Sequence, residues 1–285
     1  MSVKKLKKSK PVSKPAKDDI GSRIMNVDDV PDFASTLLYG EAATGKTALT
    51  RTWPKPLLVI DTAEKGTRTL RRTPGIQVFQ ADEWGDIEDI YWWLYDGKGK
   101  GKFKSFSLDQ ISQMQDMAIA LTRTEMGLKP KDPIKSFKFW GRVSGLMKEW
   151  LQNFRNLQDF GMYPIFIAHQ RTFGGGDEED DNQIEPSVGA RLMPSVTSFI
   201  NGAVSTIGNT FIRETYTGKG KDRVRKVDYC LRVGPHAVYR SKIRRPPDAG
   251  FLPDIIVNPT FEKLERISRG DPLVQSTKTT VKRKK

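Results

Sequence analysis

Eight consecutive residues place the tightest limit on what this chain can fold into. Residues 40–47 read Gly-Glu-Ala-Ala-Thr-Gly-Lys-Thr and match the pattern G-x-x-x-x-G-K-[ST] at every specified position. They follow a short apolar run at residues 35–39 and open a helical pattern, which is the setting in which such a loop binds phosphate through its backbone N–H groups. Lys46 is predicted to reach the β- and γ-phosphates of a nucleotide, and the Thr47 hydroxyl is predicted to bind Mg²⁺.

The predicted nucleotide contacts are therefore the whole loop and the residue after it. They are Gly40, Glu41, Ala42, Ala43, Thr44, Gly45, Lys46, Thr47 and Ala48. The alternative interpretation of these residues is a structural glycine turn that holds no ligand. The strand–loop–helix setting favours phosphate binding, with ATP and Mg²⁺ as the ligands.

Apolar runs and amphipathic segments alternate along the rest of the chain. Strands are predicted at residues 35–39, 57–61, 76–80, 103–109 and 163–169, and helices from 46 and at 85–95, 111–126 and 137–160. This alternation indicates an α/β fold, a P-loop NTPase core with a central, mainly parallel sheet. Segments 203–214, 226–233 and 237–240 predict an antiparallel β extension on the C-terminal side, and 174–181 predicts a loop.

Charge divides the chain into three parts. The net charge is +14, but residues 1–17 hold seven lysines and residues 275–285 five basic residues, with no acid in either, so residues 18–274 carry only +2. Blocks of like charge repel and do not pack. We therefore predict a basic arm at 1–30, one ATP-binding domain at 31–262 and a basic tail at 263–285. The tails either attach loosely to a polyanion or only aid solubility.

Several classes of protein are disfavoured by what the sequence lacks. No apolar run approaches the roughly 20 residues of a membrane-spanning helix, and the lysine-rich start is not followed by the apolar segment of a secretion signal. Cys230 is the single cysteine and there are two histidines, so a Cys/His metal site is not expected. Cys230 and most tryptophans are predicted to be core residues. We expect a cytoplasmic protein without a membrane partner.

Acidic and polar residues that end predicted strands are the candidates for catalysis. Asp109 is predicted to bind Mg²⁺ opposite Thr47, with Asp61 as the rival candidate. Glu64 follows the strand of Asp61 and is the candidate base for water, the alternative being a solvated loop residue. Gln170 is the candidate to sense the γ-phosphate, because an amide both donates and accepts. His169 beside it is either a second sensor or a capping residue.

Together these segments resemble the RecA-like ATPases of bacteriophages. The resemblance is to the group of RecA/RadA-related single-strand-annealing recombinases and rests on residues 40–47, 59–64, 107–112, 165–171 and 239–244. It implies a RecA-like core, ATP and Mg²⁺, binding of single-stranded DNA, and self-association into rings or filaments. A phage single-strand-binding protein is a further partner that it implies, and the compartment would then be the cytoplasm of a bacterial host.

The resemblance also implies roles for particular residues. Glu64 corresponds to the catalytic glutamate and Gln170 to the glutamine that links nucleotide state to the DNA-binding loop. Lys242 and Arg244 resemble a Lys-x-Arg pair that reaches the γ-phosphate held by a neighbouring subunit. The alternative for this pair is a solvated basic patch. Glu64 departs from the pattern, since it lies three residues beyond Asp61 rather than about two.

The expected DNA contacts are less well defined. The loop that lines the DNA path in the family here carries five acids, at residues 177–181, which would repel phosphate. Contact with DNA could then fall to Arg171, Arg191 and the Gly-Lys repeat at 97–104, although that repeat equally suits a solvated turn. We therefore expect an ATP-dependent recombinase or annealing ATPase. The alternatives are a replicative helicase or its loader, and a P-loop kinase or nucleotide-gated interaction module.

Overall fold

A computed structural model describes residues 24–30, 32–62, 64–174, 186–218 and 223–271. The chain divides into two units between Asp32 and Phe33. In the first unit the described residues form only a short 3-10 helix, Val27–Asp29, with no buried residue. All other elements belong to the second unit.

The second unit is built on one mainly parallel sheet. Its strands are β1 (Thr36–Gly40), β2 (Leu57–Asp61), β3 (Ile76–Gln80), β4 (Ser105–Asp109), β5 (Tyr163–Phe173), β6 (Ser187–Ala190), β7 (Thr206–Thr217), β8 (Val224–Arg232), β9 (Lys242–Ile243) and β10 (Ile255–Val257). The strand order is β10-β8-β7-β1-β5-β4-β2-β3. The six strands from β7 to β3 run parallel, β8 pairs antiparallel with β7, and β10 pairs antiparallel with β8. This is the α/β architecture with a central, mainly parallel sheet and an antiparallel extension that the sequence predicts.

Helices cover both faces of the sheet. They are α1 (Lys46–Thr50), α2 (Trp84–Tyr95), α3 (Ile111–Glu125), α4 (Phe137–Asn156), α5 (Pro194–Ala203) and α6 (Phe261–Arg269). Side chains of α2 to α5 form one apolar cluster with Leu37 and Tyr39 of β1, whereas α1 and α6 join a second cluster with Leu38. Neighbouring residues of a strand point to opposite faces, so the two clusters lie on the two sides of the sheet.

The predicted core residues are largely confirmed. Trp84, Tyr91 and Trp150 are buried in the first cluster, and Cys230 is buried on β8. Burial raises the pKa of the Cys230 thiol, as expected for an inert core cysteine. Trp92 is the exception, because 40% of its surface is exposed.

The first five predicted strands all occur, but β1 is shifted by one residue and β4 begins at Ser105 rather than 103. β5 continues four residues past 169, because residues Gln170–Phe173 pair with the antiparallel β6. The segment 237–240 is not a strand: Tyr239 makes a single bridge to Val188, and the next paired residues are those of β9. β7 begins at Thr206 rather than 203, since α5 runs to Ala203. Most of the predicted loop at 174–181 lies outside the described residues.

The C-terminal boundary predicted after residue 262 falls inside α6. Leu264 and Ile267 of this helix are buried in the second cluster with Leu49 and Trp53. The Phe261 ring lies 5.4 Å from that of Trp53, and the Phe261 N–H donates to the Thr52 hydroxyl at 2.8 Å. The packed domain therefore extends beyond 262, and α6 supports the helix that follows the glycine-rich loop.

Candidate active site

The loop between β1 and α1 lies at the carboxyl edge of the sheet. Gly40 ends β1 between His169 of β5 and Thr210 of β7. A Cβ at Gly40 would lie 2.3 Å from the Thr210 hydroxyl oxygen. Gly45 has a φ of +88°, and a Cβ there would lie 2.9 Å from the Tyr229 ring. Both positions therefore require glycine. The backbone can follow the tight concave path that a phosphate-binding loop needs.

The Lys46 ammonium is held inside this loop. Its Nζ donates to the carbonyl oxygens of Gly40 at 2.9 Å and Glu41 at 2.7 Å, and the side chain is almost entirely buried. Burial lowers the Lys46 pKa, while the nearby carboxylates of Asp109, Glu64 and Glu41 raise it. A desolvated ammonium at the centre of a glycine-rich loop is suited to binding phosphate oxygens.

The Thr47 hydroxyl donates to Asp109 Oδ2 at 2.7 Å. Asp109 ends β4. Burial raises the pKa of its carboxyl to about 6, although the hydrogen bond from Thr47 lowers that pKa. Asp61, which is level with Asp109 in the sheet, instead accepts the Lys65 N–H at 3.1 Å through Oδ1. Its Oδ2 is buried without a hydrogen-bond partner. The hydroxyl–carboxylate pair of Thr47 and Asp109, and not Asp61, thus has the oxygen ligands that fit Mg²⁺ beside a phosphate.

Glu64 is held by His169. Glu64 Oε1 accepts from His169 Nε2 at 2.8 Å, although 105 residues separate the two in the chain. The Gln110 amide lies on the same ring nitrogen, with 2.6 Å between Gln110 Nε2 and His169 Nε2. Two N–H donors cannot face each other, and Gln110 Oε1 has no partner. The amide turned by 180° would place that oxygen as a second acceptor for the His169 N–H.

Gln110 is a contact that the sequence analysis did not identify. Its only sequence signal is its place directly after the strand-end Asp109, and the peptide bond between the two residues is cis. Its backbone is held from both sides. The Gln110 N–H donates to the Thr62 hydroxyl at 2.8 Å, and that hydroxyl donates back to the Gln110 carbonyl at 2.7 Å. The residue is thereby fixed between β2 and β5.

Gln170 connects the glycine-rich loop to β7. Its amide N–H donates to Glu41 Oε1 at 3.1 Å, and its amide oxygen accepts from Asn209 at 2.9 Å. Gln170 is also the first residue of β5 that pairs with β6. A change in the position of Glu41 would therefore alter the contact of Gln170 at the base of the β5–β6 hairpin. Asn209 had no sequence signal.

Lys242 and Arg244 lie at the other edge of the sheet. β9 pairs with Thr206 and Ile207, which lie level with Thr36 and Leu37 at the amino end of β1. The Lys242 ammonium donates to the Asn201 carbonyl, and Arg244 donates to the Gly202 carbonyl at 2.7 Å. Burial and the charge of Arg244 lower the Lys242 pKa. β1 separates this pair from Gly40 by roughly 13 Å of strand, so the two residues do not join the loop of their own chain.

The basic residues considered for DNA binding do not form one group. Arg191 donates its backbone N–H to the His169 carbonyl at 2.7 Å, and Arg171 lies over the Phe173 ring, so both are near the carboxyl edge. The repeat at 97–104 lies at the amino edge instead. The carbonyl of its last residue, Lys104, accepts from the Tyr163 N–H at the start of β5. Lys100 and Lys102 there lie over Phe160 and Trp93. The acidic residues 177–181 lie outside the described part of the chain.

Two kinds of feature do not occur in the described part of the molecule. Within the described ranges, no helix combines the length and the apolar composition needed to cross a membrane. In that same part of the chain, no cluster of three or more histidine, cysteine or acidic side chains is arranged to hold a metal ion by itself. A magnesium ion at Thr47 and Asp109 would therefore need phosphate oxygens or water to complete its ligands.

Comparison with known proteins gives a match to a family model and an alignment with a solved structure. A family model described as "AAA domain" (AAA_24) matches residues 32–244. The crystal structure of flagellar accessory protein FlaH from Methanocaldococcus jannaschii aligns over 86% of this chain and 92% of that chain, at 11% identity and a TM-score of 0.37. No curated protein matches at a significant level.

Proposed function

This chain belongs to the AAA_24 family of AAA domains, and we propose that it is an ATP-dependent, single-stranded-DNA-binding recombinase or annealing ATPase of the phage type. The observation that carries the ATPase part is the Thr47–Asp109 hydrogen bond beside the buried Lys46 ammonium. These are the lysine, hydroxyl and strand-end carboxylate that phosphoryl transfer requires. The family implies a nucleotide and usually Mg²⁺.

Each side chain of the site has a role in hydrolysis. Lys46 would stabilise the negative charge that develops on the phosphate oxygens, and Glu64 would accept a proton from the attacking water. His169 fixes the Glu64 carboxylate through the 2.8 Å contact. Magnesium held by Thr47 and Asp109 would neutralise charge between the β- and γ-phosphates.

The proposed coupling to DNA rests on Gln170. This residue contacts Glu41 of the loop and begins the paired part of β5 and β6. That hairpin flanks residues 175–185, which correspond in sequence position to the DNA-binding loop of the proteins that the chain resembles. A nucleotide that moves Glu41 would shift Gln170, and so the DNA contacts would depend on nucleotide state. The basic tails would raise the rate of encounter with DNA.

The proposed self-association rests on Lys242 and Arg244. Both lie at the edge of the sheet away from their own glycine-rich loop. They can meet a γ-phosphate only if a second subunit presents its loop to them. Hydrolysis at subunit interfaces would then require a ring or filament, since each heterologous contact leaves a free loop and a free basic pair.

The proposal is tested by ATP turnover with and without single-stranded DNA. We expect turnover to rise with the single strand, and Lys46→Ala to abolish turnover in both conditions because the ammonium that stabilises the charge developing on the phosphate oxygens is then lost. Gln170→Ala should reduce the ratio of stimulated to unstimulated turnover, whereas Gln77→Ala on the edge strand β3 should not change it. Equal ATP turnover with and without single-stranded DNA would contradict the proposal and favour a kinase or a nucleotide-gated module.

A second assay separates a recombinase from a helicase. The purified protein with ATP is mixed with complementary single strands in one reaction and with a preformed duplex in another. Annealing of the strands without unwinding of the duplex is the expected result. Unwinding would instead assign the protein to the helicases.

A further inference from the structure

A cavity of about 280 Å³ opens beside the glycine-rich loop, on the side away from Glu64 and Gln170. Three separate parts of the chain form its walls. Gly45 and Ala48 come from the loop and α1, Tyr229 from β8, and Asn258 and Thr260 from the segment between β10 and α6. The chemistry of hydrolysis at Lys46, Thr47, Glu64 and Asp109 makes no use of Tyr229, Asn258 or Thr260.

Tyr229 presents an open aromatic face at this cavity. Its ring atoms Cδ1 and Cε1 would lie 2.9 and 3.3 Å from a Cβ at Gly45, so the ring packs directly on the loop. Even so, 47% of the Tyr229 surface is exposed. A large ring that is anchored at one edge and open on the remainder is suited to stacking on a planar ligand.

The opposite wall is also fixed in place. The Asn258 N–H donates to the Tyr229 carbonyl at 2.7 Å, and the Asn258 carbonyl accepts from the Lys263 ammonium at 2.8 Å. Asn258 has a φ of +46°, a left-handed conformation that asparagine tolerates better than most residues. These contacts use the backbone of Asn258, and its side-chain amide is left exposed at the rim, where it can donate and accept hydrogen bonds.

The direction in which the nucleoside of a bound nucleotide must extend from the loop leads to the same cavity. Lys46 and the loop fix the phosphates, and Glu64, Asp61 and Asp109 fill the neighbouring side with carboxylates. An anionic ligand with an apolar end would therefore extend toward Ala48 and the cavity, where no carboxylate lines the wall. The cavity is of a size for the base and part of the ribose, since complete ligand sites have about 300–1,000 Å³.

We propose that this cavity binds the nucleoside part of the nucleotide, with the Tyr229 ring stacked on the base and the Asn258 amide at its polar edge. The proposal rests on the proposed function, because it assumes that the loop holds the phosphates. It assigns Tyr229 and Asn258 as the residues through which the base contributes to binding of the nucleoside triphosphate.

The test compares ATP with inorganic tripolyphosphate, which has the phosphate chain but no nucleoside. Binding of each is measured by calorimetry for the wild-type protein, Tyr229→Ala, Tyr229→Phe and Tyr216→Ala. Tyr216 is the matched control, because it lies on the β7–β8 ribbon farther from the loop and is 50% exposed. We expect Tyr229→Ala to weaken ATP binding about 5- to 100-fold, as for loss of a base–aromatic stack, and to leave tripolyphosphate binding unchanged. Tyr229→Phe and Tyr216→Ala should bind both ligands as the wild type does.

Two results would overturn the proposal. Unchanged ATP binding in Tyr229→Ala would place the base elsewhere, and an equal loss for both ligands would show that Tyr229 only supports the loop. Failure of the part of the proposed function on which this rests, binding of phosphates by the loop, is distinguishable from either, because the wild-type protein would then bind neither ATP nor tripolyphosphate.

Discussion

At the scale of single residues, the members of the loop and its strand-end acid could be identified from the sequence, but the contacts around Glu64 could not. Lys46 and Thr47 follow from spacing within eight residues, and Asp109 from its place at a strand end. The contact between Glu64 and His169 joins residues from different parts of the sheet, and it depends on β5 lying between β1 and β4. Strand order is set by packing of the whole sheet, so no local pattern contains it.

His169 is predicted to act as a positioning residue for Glu64. His169→Ala should lower kcat for ATP about 10-fold or more with little change in KM, because a misplaced base loses part of the 10²–10⁴-fold that general bases contribute. The control is His236→Ala, since the only other histidine accepts hydrogen bonds from Val238 and Tyr239. Steady-state kinetics of the three proteins checks this, and an unchanged kcat in His169→Ala would contradict it.

Asp109 is predicted to make stability depend on pH. Its folded pKa of about 6 lies above its ordinary value of 3.8, so the folded state holds the proton more tightly than the unfolded chain does. The resulting stabilisation is complete below about pH 4 and is lost as the pH rises through about 6, with a total of about 3 kcal/mol. Urea unfolding without nucleotide and with a chelator measures it.

Asp109→Asn removes this titrating group while keeping an acceptor for Thr47. Its free energy of unfolding should therefore fall less than that of the wild type between pH 4 and pH 7. Parallel curves for the two proteins would show that Asp109 does not carry the effect.

At the scale of elements, the helices and strands near the loop were predicted, and α6 was missed. Its nine residues contain five charged side chains, and only Leu264 and Ile267 are buried. The predicted tail begins at residue 263, so most of this helix falls within it. The available signals were its two ends, because Thr260 accepts from the Lys263 N–H and Gly270 has a φ of +83°. These are the residue types that begin and end helices.

Leu264→Ala is predicted to destabilise the domain by about 2–5 kcal/mol, since it removes a buried side chain and leaves a cavity. The exposed Glu262→Ala on the same helix should cost no more than about 1 kcal/mol. Chemical denaturation followed by tryptophan fluorescence is suitable, because Trp53 lies in the same cluster as Leu264. Equal stability of the wild type and Leu264→Ala would mean that α6 does not support the core.

At the scale of the whole molecule, the sheet separates two groups of functional residues. Lys46, Asp109 and Gln170 lie at its carboxyl edge, and Lys242 and Arg244 lie at its amino edge. The sequence predicted both groups but not their separation. That separation depends on the antiparallel pairing of β9 with the start of β7, which brings together residues about 35 positions apart.

If the basic pair acts on a neighbouring subunit, two inactive variants should complement each other. Lys46→Ala lacks a working loop and Lys242→Ala lacks the basic residue, so an equal mixture should contain about a quarter of intact heterologous interfaces. ATP turnover of the mixture should rise above that of either variant alone. A mixture of Lys242→Ala with the Lys46→Ala/Lys242→Ala double variant should stay inactive. No gain at any mixing ratio would argue against action in trans.

The position of α6 affects how the protein matures on the ribosome. This helix is translated after every other element described, yet its Leu264 and Ile267 cover Leu49 and Trp53 next to the glycine-rich loop. Until it emerges, the apolar side of α1 lacks this cover, and the segment of Asn258 and Thr260 directly before the helix is not yet held by the contact of Lys263 with the Asn258 carbonyl. A nascent chain therefore completes its nucleotide site only late in synthesis, after the rest of the sheet has had time to form.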